Sequence, residues 1–372
     1  MATSREPRQT QIVTLAEYFD ARAGFRMLRP GSTYRRRPAV LVNPDAAMPR
    51  MRMRYRGNPD GQVPREGLAA FDDATIYGGG TIGVADGRVI AESVLFKEGQ
   101  GPAVLGAKHA TKPVSTTFGQ AVFAGRYQQS RNYGHFLVEV LPRLMLDVDA
   151  CPADAPILLH ETAEEIAPPM FRAAGLDPAR IVWIGRDPVR VETLYWPTPN
   201  TLHPLHNSPH IFPCLRTLAE SEGGGPPYRR LFVGRRDALT RQLLNDDEIF
   251  ELLEPWGFER VRPGQMPFEE QVRTFAEADV VVAVCGAALT NMVFMPPGGV
   301  VVMLLPSTMP GLFFWDIAHH RDIALSVMWG RIEDPSVRNK NADFRIDARM
   351  LADVVAQAAA IRQPRRIGFD HG

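Results

Sequence analysis

Three stretches of this chain carry residue types at spacings that chemistry can use. The first is Asn132-Tyr133-Gly134-His135-Phe136-Leu137-Val138-Glu139-Val140-Leu141-Pro142-Arg143-Leu144. On a helix, His135, Glu139 and Arg143 stand at i, i+4 and i+8 and share a face with Asn132. An imidazole beside a carboxylate is equipped to act as a general base near neutral pH. The competing reading is a structural histidine on a half-buried helix, since Phe136, Leu137, Val140 and Leu144 cover the other side. Pro142 is expected to kink or end that helix.

The second stretch, Gly234-Arg235-Arg236-Asp237 with Arg241 beyond, comes after an apolar run at 230–233. Arginines just past a strand end can aim paired N–H donors at a diphosphate. A solvated cluster with Asp237 as partner is the plainer alternative. The third is Cys285-Gly286-Ala287-Ala288-Leu289-Thr290-Asn291, after the apolar run 279–284. Small residues between a strand and a helix admit a ligand to the backbone at Gly286 and Ala287, and the helix start offers N–H groups to an anion. Thr290 and Asn291, about one turn in, are placed to add hydrogen bonds. The alternative is that small residues serve only close packing.

Other candidates are weaker. His203, His206 and His210 lie in a proline-rich loop without a fourth ligand, which speaks against a metal. His319-His320 ends a helix, where a capping cation is expected. Asp147-Val148-Asp149 spells D-x-D but comes after the His135 helix, so a metal-dependent donor site is not expected, nor any cofactor. Gly78-Gly79-Gly80 precedes no helix and reads as a turn.

The elements that must hold these residues can be read from period and punctuation. Residues 1–65 look irregular, a loosely packed arm; Arg35-Arg36-Arg37 within it gives a minor reading of contact with membrane phosphate. Residues 74–77 and 89–93 read as strands around a turn at Asp86-Gly87. From 132 the period is helical to about Asp147. Next come a strand at 156–160, a helix at 163–174 ended by Gly175, and strands at 181–185 and 191–196. The stretch from Glu222 to Pro227 is the clearest linker. Beyond it come strands at 230–233, 258–261, 279–284 and 300–305. Helices opening at Asn245 with capping-box spacing, at Pro267, at Ala287 and at 311 alternate with them, a doubly wound pattern. A last helix spans about 346–361. The expected division is an arm at 1–65, lobes at 66–221 and 228–345, and a helix and tail at 346–372.

The totals agree. At 372 residues, 45% apolar and 23% charged, the chain suits two α/β lobes. Forty-two basic residues balance 42 acidic ones, so no overall positive field draws in nucleic acid. Three scattered cysteines without a CxxC pair fit a reducing compartment. The polar N-terminus reads as no secretory signal, and no run approaches the ~20 apolar residues of a spanning helix.

Two blocks together resemble glycosyltransferase family 61, often described in bacteria as capsular polysaccharide biosynthesis proteins. One is NYGHFLVEVLPRL at 132–144; the other runs through residues 229–298 and matches in residue type, spacing and order. The resemblance implies an α/β protein of two Rossmann-like lobes facing across a cleft, the GT-B arrangement. It implies an inverting transferase, cytoplasmic with a peripheral contact at the inner membrane face as an extension. A nucleotide-sugar donor would be held by Arg235, Arg236, Arg241, Gly286, Ala287, Thr290 and Asn291. His135 would act as base with Glu139, and Asn132 and Arg143 would lie on the side of a glycan or lipid-linked acceptor. Two positions depart from the family pattern: Cys285 stands for its His and Ala288 for its Gly. The lost imidazole removes a phosphate or sugar contact, so a degenerate, non-catalytic glycan- or partner-binding protein is the alternative. A Rossmann dehydrogenase would need G-x-G-x-x-G after its first strand, which is absent.

Overall fold

The structure is a computed structural model that describes residues 11–20, 22–94, 112–202, 206–221, 227–236, 238–334, 336–337 and 339–361. Most of the expected linker, Asp237 and His203 lie outside the described residues. The chain divides into two compact units. One takes Met1–Thr33 with Gln62–Leu202, the other Tyr34–Gly61 with His203–Gly372.

The first unit is built on a mixed sheet. Val189–Pro197 is its hinge of direction: it pairs antiparallel with Glu66–Tyr77 and parallel with Thr116–Phe123. Ile157–His160 and Ile181–Ile184 extend the parallel half. Thr81–Gly83 and Val89–Ile90 extend the antiparallel half as a meander. The alternation expected from 156 onward is therefore present, but it covers only half of this sheet. Phe71, Phe123, Leu158, Val191, Leu194 and Trp196 form the core. Gly78 and Gly79 take positive φ in the turn after Tyr77, which is why the triple glycine turns the chain rather than cradling a phosphate.

The second unit is doubly wound. Its strands lie in the order Phe258–Val261, Arg229–Val233, Ala278–Val284, Val300–Pro306, Ala324–Ile332, all parallel. By position in the chain that is 2-1-3-4-5, the flavodoxin-like order. The central strands are continuous runs of Val, Leu and Ala because both faces are covered. The sheet reverses its winding between Arg229–Val233 and Ala278–Val284.

Residues 34–61 correct the expectation of a loose arm. Val40–Val42 adds a parallel strand to Ala324–Ile332. Asn43, with φ 46°, donates to Trp329 O at 2.7 Å and accepts from Trp329 N at 3.1 Å. Arg36 is fully buried against Asp316, Nε to Oδ1 2.7 Å. The apolar period is too short here to be read, because three-residue strands and single anchoring side chains do the fixing. Earlier still, Thr14 and Glu17 form a capping box on the helix Leu15–Phe19.

Two helix-end expectations also change. Asn245 precedes the helix Asp246–Leu253 but makes no side-chain cap. Its amide instead bonds Ile346 in both directions, at 2.9 and 3.1 Å. His320 ends the helix Leu312–His320 as a buried ring stacked on Phe212. Burial lowers its pKa to about 4, so it is a neutral packing group and not a capping cation.

Candidate active site

The candidate cluster of the first unit starts from an interrupted helix. Asn132 caps it, its Oδ1 accepting from Gly134 N at 3.0 Å and His135 N at 3.3 Å. A π-helical turn covers Phe136–Val140, and an α-helix restarts at Leu141–Asp147. The restart puts Pro142 in a first turn, where its missing N–H costs no hydrogen bond. The wide turn keeps His135 and Glu139 together: His135 Nδ1 lies 2.6 Å from Glu139 Oε1. It also rotates the residues beyond it off that face. Arg143 is consequently fully buried and donates to the carbonyls of Ala124 and Pro197, over the Trp196 ring. Burial, then the charge of Arg126, lowers its pKa to about 9, still well above neutrality. Arg143 is thus structural, in contrast to the acceptor-side role expected of it, while Asn132 caps the helix and stays half-exposed.

A residue that helical spacing could not find completes this cluster. Gln129, buried on the preceding turn, donates from Nε2 to Glu139 Oε2 at 2.7 Å. Its Oε1 accepts from Arg126 N at 3.2 Å. Arg126 has room because a Cβ on Gly80 would come within 2.7 Å of its Cγ. The Glu139 carboxylate is buried while the His135 side chain is 30% exposed. An ionised carboxylate only accepts, so Glu139 in that form would hold the His135 proton on Nδ1 and leave the basic lone pair on Nε2. That is the orientation a general base needs.

The candidate cluster of the second unit sits where the doubly wound sheet reverses. Ligands of such sheets bind beyond the carboxyl ends of the strands at this switch point. Arg235 lies past the end of one of the two strands concerned and Gly286 past the end of the other. They meet: a Cβ on Gly286 would collide with Arg235 Nη1. Glycine is therefore the residue that allows the guanidinium to lie across the strand end. Arg241, with φ 59°, is held in place by Nε donating to Lys340 O at 2.8 Å and Nη1 to Cys285 O at 2.6 Å. Arg235 Nε donates to Thr240 O at 3.1 Å. The next element is a 3-10 helix, Ala287–Phe294, entered from extended Gly286 without a side-chain cap. Its first N–H groups and two guanidinium groups make one electropositive edge.

Three expected donor contacts are elsewhere. Arg236 pairs with Asp247 at 2.5 Å and approaches Asp246, the acids opening the next helix. Asn291 is buried and donates to Gln271 Oε1 at 2.9 Å. Thr290 is buried as well. The tight 3-10 winding turns both inward, while Ala287 and Ala288 stay half-exposed. Cys285 is fully buried, and burial pushes its thiol up to about 11; it is a neutral group at pH 7, not a nucleophile. Of the remaining histidines, His206 Nδ1 lies 3.0 Å from Arg36 Nη2, a neighbour that disfavours a cation there.

The second unit is thus a flavodoxin-like α/β fold with guanidinium groups at its switch point, and the first unit holds an imidazole against a buried carboxylate. Residues 133–302, which contain His135, Glu139, Arg235, Arg241 and Gly286, match the family model Glycosyltransferase 61. That match supports membership of glycosyltransferase family 61 and covers a little under half of the chain. No curated protein matches it. Among solved structures it is similar to the E. coli heptosyltransferase WaaC with ADP. That similarity has TM-score 0.31 and 10% identity, covering 65% of this chain and 99% of that one.

Proposed function

We propose that this chain is an inverting glycosyltransferase that moves a sugar from a nucleotide-sugar donor to a hydroxyl of a glycan or lipid-linked acceptor. The setting would be bacterial surface (capsular) polysaccharide synthesis in the cytoplasm. The observation that carries the reading is the convergence of Arg235 and Arg241 on the Cys285–Gly286 strand end at the switch point. Those guanidinium groups and the Ala287 helix start bind the donor diphosphate. They stabilise the charge that develops as the anomeric C–O bond breaks; losing one such donor costs about 10²–10³ in rate. His135 Nε2 takes the acceptor proton as the new C–O bond forms, and Glu139 steadies the imidazolium that results. Because arginine supplies the countercharge, the transfer needs no metal, and EDTA leaves it unchanged.

The test is nucleoside diphosphate release from a panel of nucleotide sugars, with melting temperature monitored in parallel. One nucleoside diphosphate is expected to raise the melting temperature, and Arg235→Ala to abolish that rise without unfolding the chain. His135→Ala is expected to keep the rise and lose about 10²–10⁴ in turnover. A wild-type chain that no nucleoside diphosphate stabilises, or a His135→Ala chain with full turnover, overturns the corresponding half. A chain that binds a nucleotide sugar but never releases diphosphate is the non-catalytic binder.

A further inference from the structure

Residues 34–61 hold seven arginines against two aspartates in a chain that is neutral overall. Neither cluster uses them. Four of the arginines stand on one helix, Pro49–Gly57, at every second position: Arg50, Arg52, Arg54 and Arg56. At about 100° per residue, that alternation wraps them around the helix rather than stacking them on one side. Met51 and Tyr55 fix the inward face. Both are buried, and the Tyr55 ring lies 5.0 Å from Trp315 and 5.8 Å from Trp329. Opposite them stands Met53, 64% exposed. Arg50 and Arg54 fall on one flank of Met53, and Arg52 and Arg56 on the other.

The charges are not consumed locally. Arg52 pairs with the exposed Asp45 at 2.5 Å, but among the described residues Arg50, Arg54 and Arg56 have no ion-pair partner. A surface cavity of about 480 Å³ lies along the helix, lined by Pro49, Arg52, Met53, Arg56 and Gly57. Met48 N, just before the helix, donates to Ser307 O at 3.0 Å. Ser307 comes directly after the strand Val300–Pro306, so the helix stands at the carboxyl edge that also carries Arg235 and Gly286.

We infer that the helix Pro49–Gly57 is a docking face for an anionic lipid bilayer. Its arginines would meet phospholipid phosphates, and Met53 would enter the headgroup boundary between them. An apolar centre flanked by long cationic stems fits an interface in which stems lie in the apolar layer and heads reach phosphate. A soluble polyanion would engage the arginines but has no use for an outward methionine at their centre. Docking here would hold the donor edge of the second unit near a lipid-borne acceptor. Lipid binding itself requires no turnover, so it is tested independently of the transfer reading.

The experiment is sedimentation of the full chain with phosphatidylglycerol-rich vesicles and with pure phosphatidylcholine vesicles, across a salt series. The chain is expected to sediment with the anionic vesicles only, and less so as salt rises. With each arginine near an anionic surface worth about 1 kcal/mol, the combined variant Arg50→Gln, Arg54→Gln, Arg56→Gln should partition on the order of 10²-fold more weakly. Its melting temperature should be unchanged, since the three side chains are exposed. Equal sedimentation with neutral vesicles overturns the inference, as does a triple variant that sediments like the wild type. So does capture by soluble polyphosphate without capture by either vesicle.

Discussion

Gln129 shows how much a single side chain decides. The Glu139 carboxylate is buried and has two oxygens to satisfy; His135 takes one and Gln129 the other. Without the amide, Oε2 would lose a buried hydrogen bond, at a cost of about 1–3 kcal/mol. The carboxylate would then be less firmly oriented and would hold His135 less well. Gln129→Leu is therefore expected to lower turnover by about 10-fold or more while the donor KM stays unchanged. Gln129→Asn, too short to reach, should behave similarly. A turnover equal to wild type would show that Gln129 only packs.

At the scale of the element, the helix Leu312–His320 carries a buried polar cluster. Asp316 accepts from Tyr34 OH, Arg36 Nε, Asn207 N and Asn207 Nδ2, each at 2.7 Å. Around it, burial lowers the pKa of His320 to about 4 and lowers those of His206 and His319 as well. Between about pH 6.5 and pH 4 the unfolded chain binds protons on these rings that the folded chain refuses. Stability present above pH 6.5 should accordingly be lost as the pH falls through that window. His320 alone contributes on the order of 3 kcal/mol. Denaturant midpoints at pH 7.5 and pH 5 check this, and His320→Phe should flatten the slope. A midpoint independent of pH in the wild type would contradict it.

At the scale of the molecule, the second unit is assembled from two pieces of chain far apart in sequence. Tyr34–Gly61 and His203–Gly372 share one sheet through Val40–Val42 and one buried ion pair, Arg36–Asp316. Removing one partner of a buried pair strands the other charge, at about 3–5 kcal/mol. Asp316→Ala should therefore lower the unfolding free energy by about that amount and expose residues 34–61 to proteolysis. The substitution leaves Arg235 and Gly286 in place, so nucleoside diphosphate binding should weaken only in step with stability. Rapid cleavage of 34–61 in the wild-type chain would contradict their place in the unit.

Most of the second unit was legible from the sequence. Its central strands are nearly continuous apolar runs punctuated by Gly and Pro, which local period determines, whereas Ala324–Ile332, broken by Ser326, Gly330 and Arg331, is not read that way. Arg235, Arg241 and Gly286 were legible too, because parallel strands place their carboxyl ends side by side. Arg143, Thr290 and Asn291 were not, since a π turn and a 3-10 turn alter winding without altering composition. Nor was the anchoring of residues 34–61, or the partnership of Gln129 with Glu139. Short strands and single buried hydrogen bonds leave no period in a sequence. They are stable only once distant segments remove water from around them, and that desolvation exists only in the folded chain.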